Sequence, residues 1–305
     1  MAFSEKQNLS ILQLFGTIAT ETYGLERVAL NATKFIPMQG GIAPWLTSWA
    51  YKVVSEVGMA KFIADYVDDL PPVSRLMTLK SIGIKTIGNA YAYSEFELNQ
   101  WLTAGIDLPR DEAETARRKI DEKVDEVLLV GDAAQGVTGL FNNENVTVIQ
   151  ASANTAGIST KFRDKTVDEI VAQIQALIDG AYALNNGTIV LDSIILPHDA
   201  FSYLATKRVS DYDGQTILSY LKTLFREQGI VNWDESRLLD KAGAEESGRA
   251  IFYKKAASIL SYVLPIPFKQ KEPQAHALHY SVPCYARIGG TVIKNLKGIV
   301  YADGV

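Results

Sequence analysis

Cysteine and histidine are scarce in this chain. Among its 305 residues, Cys284 is the single cysteine, and there are three histidines. One cysteine cannot form an intrachain disulfide, and the N-terminus lacks the basic region and apolar core of a secretory signal, so we expect an intracellular, reducing setting. Tetrahedral zinc sites and most acid–base relays use histidine or cysteine, so there are few candidates for such sites.

Long hydrophobic runs and an excess of basic residues are also absent. The most nearly apolar stretch, Ile251–Phe268, contains two lysines and two prolines and is shorter than the ~20 apolar residues that span a bilayer. Lysine and arginine number 30 against 35 acidic residues, for a net charge of −5. No overall positive field attracts nucleic acid or an anionic membrane, so we expect no membrane partner and only local contacts with polyanions.

The first third of the sequence is rich in apolar residues that no single element covers. Residues 1–44 mix short apolar patches with glycine and threonine and are typical of an extended arm. In Trp45–Phe62 the apolar residues recur mostly every three or four positions, which predicts a helix. From Leu76 to Tyr93 the β-branched and aromatic residues predict two strands joined at Gly83 and Gly88 as a long hairpin.

A capping box and a long charged helix follow. Ser94 and Glu97 are spaced so that each side chain can satisfy the other's free backbone amide, which predicts a helix start. Pro109–Val130 predicts the clearest helix, about 33 Å long, ended by Gly131. Its apolar residues form one narrow stripe: Ala113, Ala116, Ile120, Val124, Val127 and Leu128. The narrow stripe implies packing along one side, with the charged side facing water or a neighbouring subunit.

The second half mixes helices and strands without regular alternation. A second capping box at Thr166–Glu169 opens a helix, and Asn185–Gly187 turns into a strand at Ile189–Ile195. The pattern further predicts helices at His198–Leu204 and Ile217–Phe225. It predicts strands at Val146–Ile149, Ile230–Trp233, Ile251–Tyr253, Tyr280–Arg287 and Thr291–Tyr301. The order of elements indicates the α+β class.

Two histidine pairs are the main candidates for chemistry. His198 and Asp199 follow a strand, but no activated serine accompanies them, and we interpret Asp199 as the cap of the next helix. His276 and His279 have a spacing that would share a helix face, but the flanking sequence is of the strand type. A polar strand position is therefore the favoured interpretation, and we expect no catalytic, metal-binding or cofactor-binding residue.

Two other features have ordinary structural explanations. Gly131–Thr138 is similar to a phosphate loop, but Val137 stands where the phosphate-binding lysine is required, so a turn after the helix is favoured. Cys284 lies in a strand-like run and is expected to be a small buried hydrophobe.

Several motifs together resemble a known family, the major capsid proteins of tailed bacteriophages, in particular a subfamily formerly catalogued as a domain of unknown function. Encapsulins share the same shell fold. The matching motifs, in the family's order from about Glu26 to the end, are the acidic Asp65–Pro72 stretch, Tyr93–Leu98 before the charged helix, Gly139–Asn143 after it, Leu196–His198, Val282–Gly290 and Tyr301–Gly304.

The resemblance implies a division of the chain into the parts of that fold. These are an N-terminal arm at 1–44, an extended E-loop at 45–93, a P-domain with a long spine helix at 94–145, an A-domain at 146–271, and C-terminal strands returning to the P-domain at 272–305. No long charged helical segment precedes the arm, so a built-in scaffolding domain is not expected.

The resemblance also implies the function. It is that of a major capsid protein whose pentamers and hexamers form an icosahedral shell around double-stranded DNA, a virion component assembled in the host bacterial cytoplasm. The partners would be copies of the chain, with portal, scaffold or decoration proteins possible. Two alternatives stay open: an encapsulin-like compartment, and a hydrolase or metal enzyme using His198 and Asp199 or His276 and His279.

Overall fold

The computed structural model describes residues 29–59, 62, 73–104, 108–210 and 214–305. The first 28 residues of the predicted arm and the whole stretch between Phe62 and Val73, including Asp65–Pro72, lie outside these ranges. The chain forms two compact units. One contains Lys85–Asp125 and Pro265–Ile288, and the other contains Ala32–Ile84, Glu126–Leu264 and Gly289–Val305. Each unit is thus assembled from segments that are far apart in sequence.

The described elements follow one another in a mixed order. The helices are α1 (Ala32–Phe35), α2 (Glu95–Ala104), α3 (Leu108–Leu129), α4 (Val167–Asn185), α5 (His198–Thr206) and α6 (Ile217–Arg226). The strands are β1 (Ser48–Val57), β2 (Ser74–Gly83), β3 (Lys85–Ser94), β4 (Gly131–Asp132), β5 (Val137–Thr138), β6 (Val148–Gln150), β7 (Ser193–Pro197), β8 (Asn232–Ser236), β9 (Arg249–Tyr253), β10 (Leu260–Val263), β11 (Ile266–Gln270), β12 (Gln274–His276), β13 (His279–Ile288), β14 (Gly290–Ile293) and β15 (Ile299–Asp303). The α+β class is confirmed.

The first unit is built around the long strand β13. Strand β3 pairs antiparallel with the whole of β13, from Lys85 opposite Ile288 to Ser94 opposite His279, and β11 and β12 pair with it as well. The predicted strands in Leu76–Tyr93 are confirmed, but the hairpin between them is wrong. Gly88 lies inside β3, and β3 pairs with a strand almost 200 positions later, a distance that local sequence patterns cannot reveal.

Both predicted capping boxes are present. At the start of α2, the Glu97 amide donates to the Ser94 hydroxyl and the Ser94 amide donates to the Glu97 carboxylate, each at 3.0 Å. At the start of α4, Thr166 and Glu169 make the same reciprocal pair. The spine helix is confirmed as the 22-residue helix α3. The core of its predicted stripe, from Ala116 to Leu128, is buried.

The second unit contains a five-stranded sheet in the order β6-β15-β9-β7-β8. Helices α4, α5 and α6 bury apolar residues in one core with this sheet, including Ile174, Leu221 and Phe252. Helix α4 ends at Asn185, and the left-handed backbone of the following Asn186 leads into Gly187 as the sequence predicted. The last strand, β15, pairs with β9 and β6, so the chain end lies in this sheet. The predicted domain boundaries stay a prediction.

A buried ion pair fastens the end of the chain to the loop after the spine helix. The Arg249 guanidinium donates to both oxygens of the Asp303 carboxylate, at 2.6 and 2.8 Å, and to the Phe141 carbonyl at 2.8 Å. It also lies over the Tyr301 ring. The Tyr301 hydroxyl in turn donates to the Leu140 carbonyl. These contacts fix the Gly139–Asn143 motif of the sequence.

Candidate assembly surface

Strands β1 and β2 form a two-stranded antiparallel ribbon, which we call the β1–β2 ribbon. Pairing runs over all ten positions, from Ser48 opposite Gly83 to Val57 opposite Ser74. The helix predicted at Trp45–Phe62 is therefore wrong. Its apolar residues Trp49, Val53 and Val57 stand four apart, which fits one face of a strand as well as one face of a helix, since four is an even number.

The base of the ribbon is anchored on its own chain. Trp49, Tyr51 and Ile82 pack against a small apolar cluster that includes Val263 and Val292. Gly289 makes the approach possible, because a Cβ atom there would come within about 3 Å of the side chains of Ile82 and Val263. One end of the ribbon is thus held by packing.

The rest of the ribbon leaves apolar side chains in water on both faces. On one face, Val54 lies directly opposite Met77, and the neighbouring Leu79 is 66% exposed. On the other face, Leu76 is 63% exposed. Every residue of β2 from Ser74 to Ser81 is exposed. A two-stranded ribbon is only marginally stable in water when nothing covers it. Contiguous exposed apolar residues of this kind mark surfaces that bind another molecule.

Residues 34–39, which we call the anchor segment, precede the ribbon. Hydrogen bonds and an ion pair hold them against the rest of the second unit. The Tyr253 hydroxyl donates to the Phe35 carbonyl at 3.0 Å, and Lys34 forms an ion pair with Asp234. The Lys294 ammonium donates to the Gln39 side chain at 2.7 Å and lies over the Trp49 ring. Lys294 thus joins the anchor segment to the base of the ribbon.

Charges on the spine helix are already paired along the helix. Arg118 and Lys119 contact the Glu122 carboxylate at 3.0 and 2.8 Å, and Arg117 lies 3.7 Å from Asp121. The two hydrogen bonds from Lys119 and Arg118 lower the pKa of Glu122. Exposed pairs of this kind contribute only about 0.2–1 kcal/mol each, so the helix surface can exchange these partners for those of another molecule at small cost.

In the structure the side chain of His198 contacts Glu235, whereas the sequence suggested the adjacent Asp199 as its partner. Its Nδ1 lies 3.0 Å from the Glu235 carboxylate, and its backbone amide donates to Asp240 at 2.7 Å. Asp199 lies in the first turn of α5, and Pro197 occupies the cap position. The interpretation of Asp199 as the cap is therefore wrong. Glu235 was missed because it is 37 positions away and belongs to the neighbouring strand.

His276 and His279 are brought together by a hairpin. They lie directly opposite each other in the β12–β13 pair, and their rings stack with centroids 5.5 Å apart. The expected strand conformation is confirmed, but the inference that it would keep the rings apart is wrong. The sequence argument considered a shared helix face and overlooked the two-residue turn between the strands.

The remaining sequence candidates keep ordinary structural roles. Cys284 is buried, which raises the pKa of its thiol. Gly131–Thr138 forms the short hairpin of β4 and β5, with Val137 buried. Within the described ranges, no group of three or more histidine, cysteine, aspartate or glutamate side chains is placed to hold a metal ion. None of the helices in the described ranges combines the length and the apolar character that crossing a membrane requires.

The solved structures to which this chain is similar include phage capsids and a virus-like particle. The chain is similar to the capsid of Myoviridae phage XM1 with 17% identity and a TM-score of 0.79, over 100% of this chain and 99% of that one. It matches the capsid of an empty GTA particle with 10% identity and a TM-score of 0.64, over 94% of each chain. A virus-like particle from Pyrococcus furiosus matches with 14% identity and a TM-score of 0.51, over 88% of this chain and 90% of that one. The fold is therefore that of phage capsid proteins.

The sequence identifies the family directly. A profile of the family described as "Major capsid protein" matches residues 58–305. The chain belongs to this family, and its function is that of a shell subunit. None of the curated protein sequences matches it significantly.

Proposed function

We propose that copies of this chain assemble as pentamers and hexamers into an icosahedral virion shell that encloses double-stranded DNA. The observation that supports this most strongly is the β1–β2 ribbon, whose apolar side chains are exposed on both faces. Burial of apolar surface contributes about 25 cal/mol per Å², and a neighbouring copy that covers the ribbon gains this energy at each of many equivalent contacts. Weak individual contacts then add up to a stable wall.

The charge of the chain fits enclosure of DNA without tight binding to it. The net charge is −5, so the chain as a whole repels a polyanion at long range. Strong attraction of DNA to the wall would oppose its movement during packing and release. Assembly in the bacterial cytoplasm and contacts with portal, scaffold or decoration proteins are further parts of this proposal, checked by mass spectrometry of particles purified from producing cells.

Substitution of Leu79 tests assembly through the ribbon. We expect Leu79→Asp to give folded protein that does not form closed shells, because a carboxylate at this position cannot be buried without a partner. Leu79→Met, the matched control, keeps an apolar side chain and should assemble. Electron microscopy and light scattering measure the outcome, and circular dichroism checks folding. Wild-type protein that stays monomeric under all assembly conditions, or Leu79→Asp shells equal to wild type, would contradict the proposal.

The contents of the particles test the second part. Particles from producing cells should contain nuclease-protected double-stranded DNA, measured after digestion of external nucleic acid. Particles that contain a packaged enzyme and no nucleic acid would instead favour a protein compartment.

A further inference from the structure

The hairpin of β12 and β13 holds two histidines at its end, outside the assembly surface described above. His276 and His279 are the last paired residues before the turn of Ala277 and Leu278. Their rings are 5.5 Å apart between centroids and inclined by 24°, and both side chains are exposed. Directly opposite residues of an antiparallel pair point to the same side of the sheet, with Cβ atoms about 5 Å apart.

The two-residue turn between the histidines has an unfavourable backbone conformation. Ala277 has a φ of 51°, in the left-handed region that residues other than glycine rarely adopt. Leu278 is 58% exposed, so the turn does not bury its own apolar side chain in return. The turn places the two imidazoles opposite each other, and its Leu278 carbonyl accepts a hydrogen bond from the Glu95 amide at 2.9 Å. Backbone strain of this kind is often found at binding sites.

We propose that His276 and His279 form a two-ligand site for a divalent transition-metal ion of the zinc and copper class. Imidazole nitrogen is a preferred ligand of these ions, and a zinc–nitrogen bond is about 2.0–2.1 Å long. One ion can therefore bridge two opposite histidines once their rings turn from stacked to convergent. Because both side chains are exposed, this requires rotation about side-chain bonds only. Water completes the coordination.

Neighbouring groups leave the two imidazoles as the ligands. Ser94 lies opposite His279 on β3, but its hydroxyl accepts the hydrogen bond from the Glu97 amide. The Glu97 carboxylate is in turn held by the Ser94 amide. The capping box of α2 therefore engages the Glu97 carboxylate, and a site of two imidazoles differs from three-ligand catalytic zinc sites. Its role would be to bind an ion without turnover.

Calorimetric titration of the full chain with Zn²⁺, purified without a polyhistidine tag, tests the proposal. We expect one ion per chain. The second imidazole binds intramolecularly once the first has bound, so His276→Ala and His279→Ala should each weaken binding about 100-fold. His198→Ala, the matched control, removes the other histidine of the chain and should leave binding unchanged. With Cu²⁺ as the probe, electron paramagnetic resonance should show two coordinated nitrogens in the wild type and no more than one in either variant.

Two variants of Ala277 test whether Zn²⁺ binding depends on the geometry of the turn as well as on the presence of the two histidines. Ala277→Gly accepts a positive φ and should bind Zn²⁺ as the wild type does. Ala277→Pro keeps both imidazoles but fixes φ near −65°, so binding should fall as in the single histidine variants. Equal Zn²⁺ affinity of the wild type and the double variant His276→Ala/His279→Ala, or undiminished binding by Ala277→Pro, would overturn the proposal. Circular dichroism of each variant confirms that the rest of the chain is folded.

Discussion

Arg249 carries a charge into the interior of the second unit, where Asp303 is its counterion. Replacing Arg249 with alanine leaves the almost fully buried Asp303 carboxylate without this counterion and removes the hydrogen bond to Phe141. We expect a loss of about 3–5 kcal/mol in the free energy of unfolding, as for other broken buried pairs. Urea denaturation of unassembled protein, followed by circular dichroism, measures this loss.

Two controls identify the cause of that loss. Arg117→Ala removes the exposed pair with Asp121 and should cost less than ~1 kcal/mol. The double variant Arg249→Met/Asp303→Leu removes both charges, so it should recover part of the stability lost in Arg249→Ala. An Arg249→Ala variant as stable as Arg117→Ala would show that the buried pair has no special role.

Glu169 gives the stability of α4 a pH dependence. Hydrogen bonds from the Thr155 hydroxyl, the Thr166 amide and the Thr155 amide lower the pKa of its carboxyl group from 4.5 to about 2. The ionised carboxylate therefore stabilises the folded state above pH 4.5, and this contribution is lost as the pH falls from 4.5 to about 2. Glu169→Gln lacks this dependence, so its unfolding free energy should approach that of the wild type over this range.

Nuclear magnetic resonance checks the Glu169 prediction directly. The side-chain carboxyl carbon of Glu169 should titrate near pH 2 in the wild type. Thr155→Val removes the hydroxyl donor and should raise this pKa towards its usual value. Titration of the wild-type residue at pH 4.5 would contradict the assigned hydrogen bonds.

At the scale of elements, the join between the spine helix and the following loop depends on Gly139. A Cβ atom there would lie 2.6 Å from the Leu129 carbonyl oxygen and still closer to the backbone of Val130 and Gly131. Gly139→Ala must therefore displace backbone, and we expect it to cost at or above the top of the ~1–3 kcal/mol range of overpacking. Gly40→Ala meets no atom within 4 Å and should be neutral. Thermal unfolding of both variants measures the difference.

The sequence predicts those elements whose causes are local. The capping boxes at Ser94 and Thr166 involve residues three positions apart, and the spine helix is bounded within one residue because its apolar stripe and its final glycine agree. Strand pairing has no such local cause. β2 and β3 are separated only by Ile84 but pair with different strands, and the partner of β3 begins at His279.

The assembly surface was predicted in part. The sequence indicates that this part of the chain has more apolar material than it can cover, and in the described ribbon Val54, Leu76, Met77 and Leu79 are indeed exposed. It does not reveal the β1–β2 ribbon, because the four-residue spacing of Trp49 and Val53 fits a helix and a strand equally. A ribbon with both faces in water also lacks the alternation of buried and exposed residues that identifies most strands.

At the scale of the whole molecule, segments distant in sequence have to meet before either unit is complete. Lys85–Asp125 requires Pro265–Ile288, and the last strand, β15, lies inside the five-stranded sheet. Such non-local pairing is slow to form. The ribbon base packs on Val292, which lies near the chain end. We therefore expect the ribbon to be anchored late in folding, so that assembly through it cannot begin before the subunit is folded.

The anchor segment predicts where the chain can be shortened. Residues 34–39 are held by Tyr253, Lys294 and Asp234. Residues 1–28 belong to the arm predicted at 1–44, and we expect them to pack on a neighbouring copy. Deletion of residues 1–28 should leave the unfolding midpoint unchanged and reduce shell formation in electron micrographs. Deletion of residues 1–40 also removes the buried Phe35 and Ile36, so it should lower the midpoint as well. Full shell formation after the shorter deletion would contradict the role of the arm, and a lowered midpoint would place the arm in the subunit's own fold.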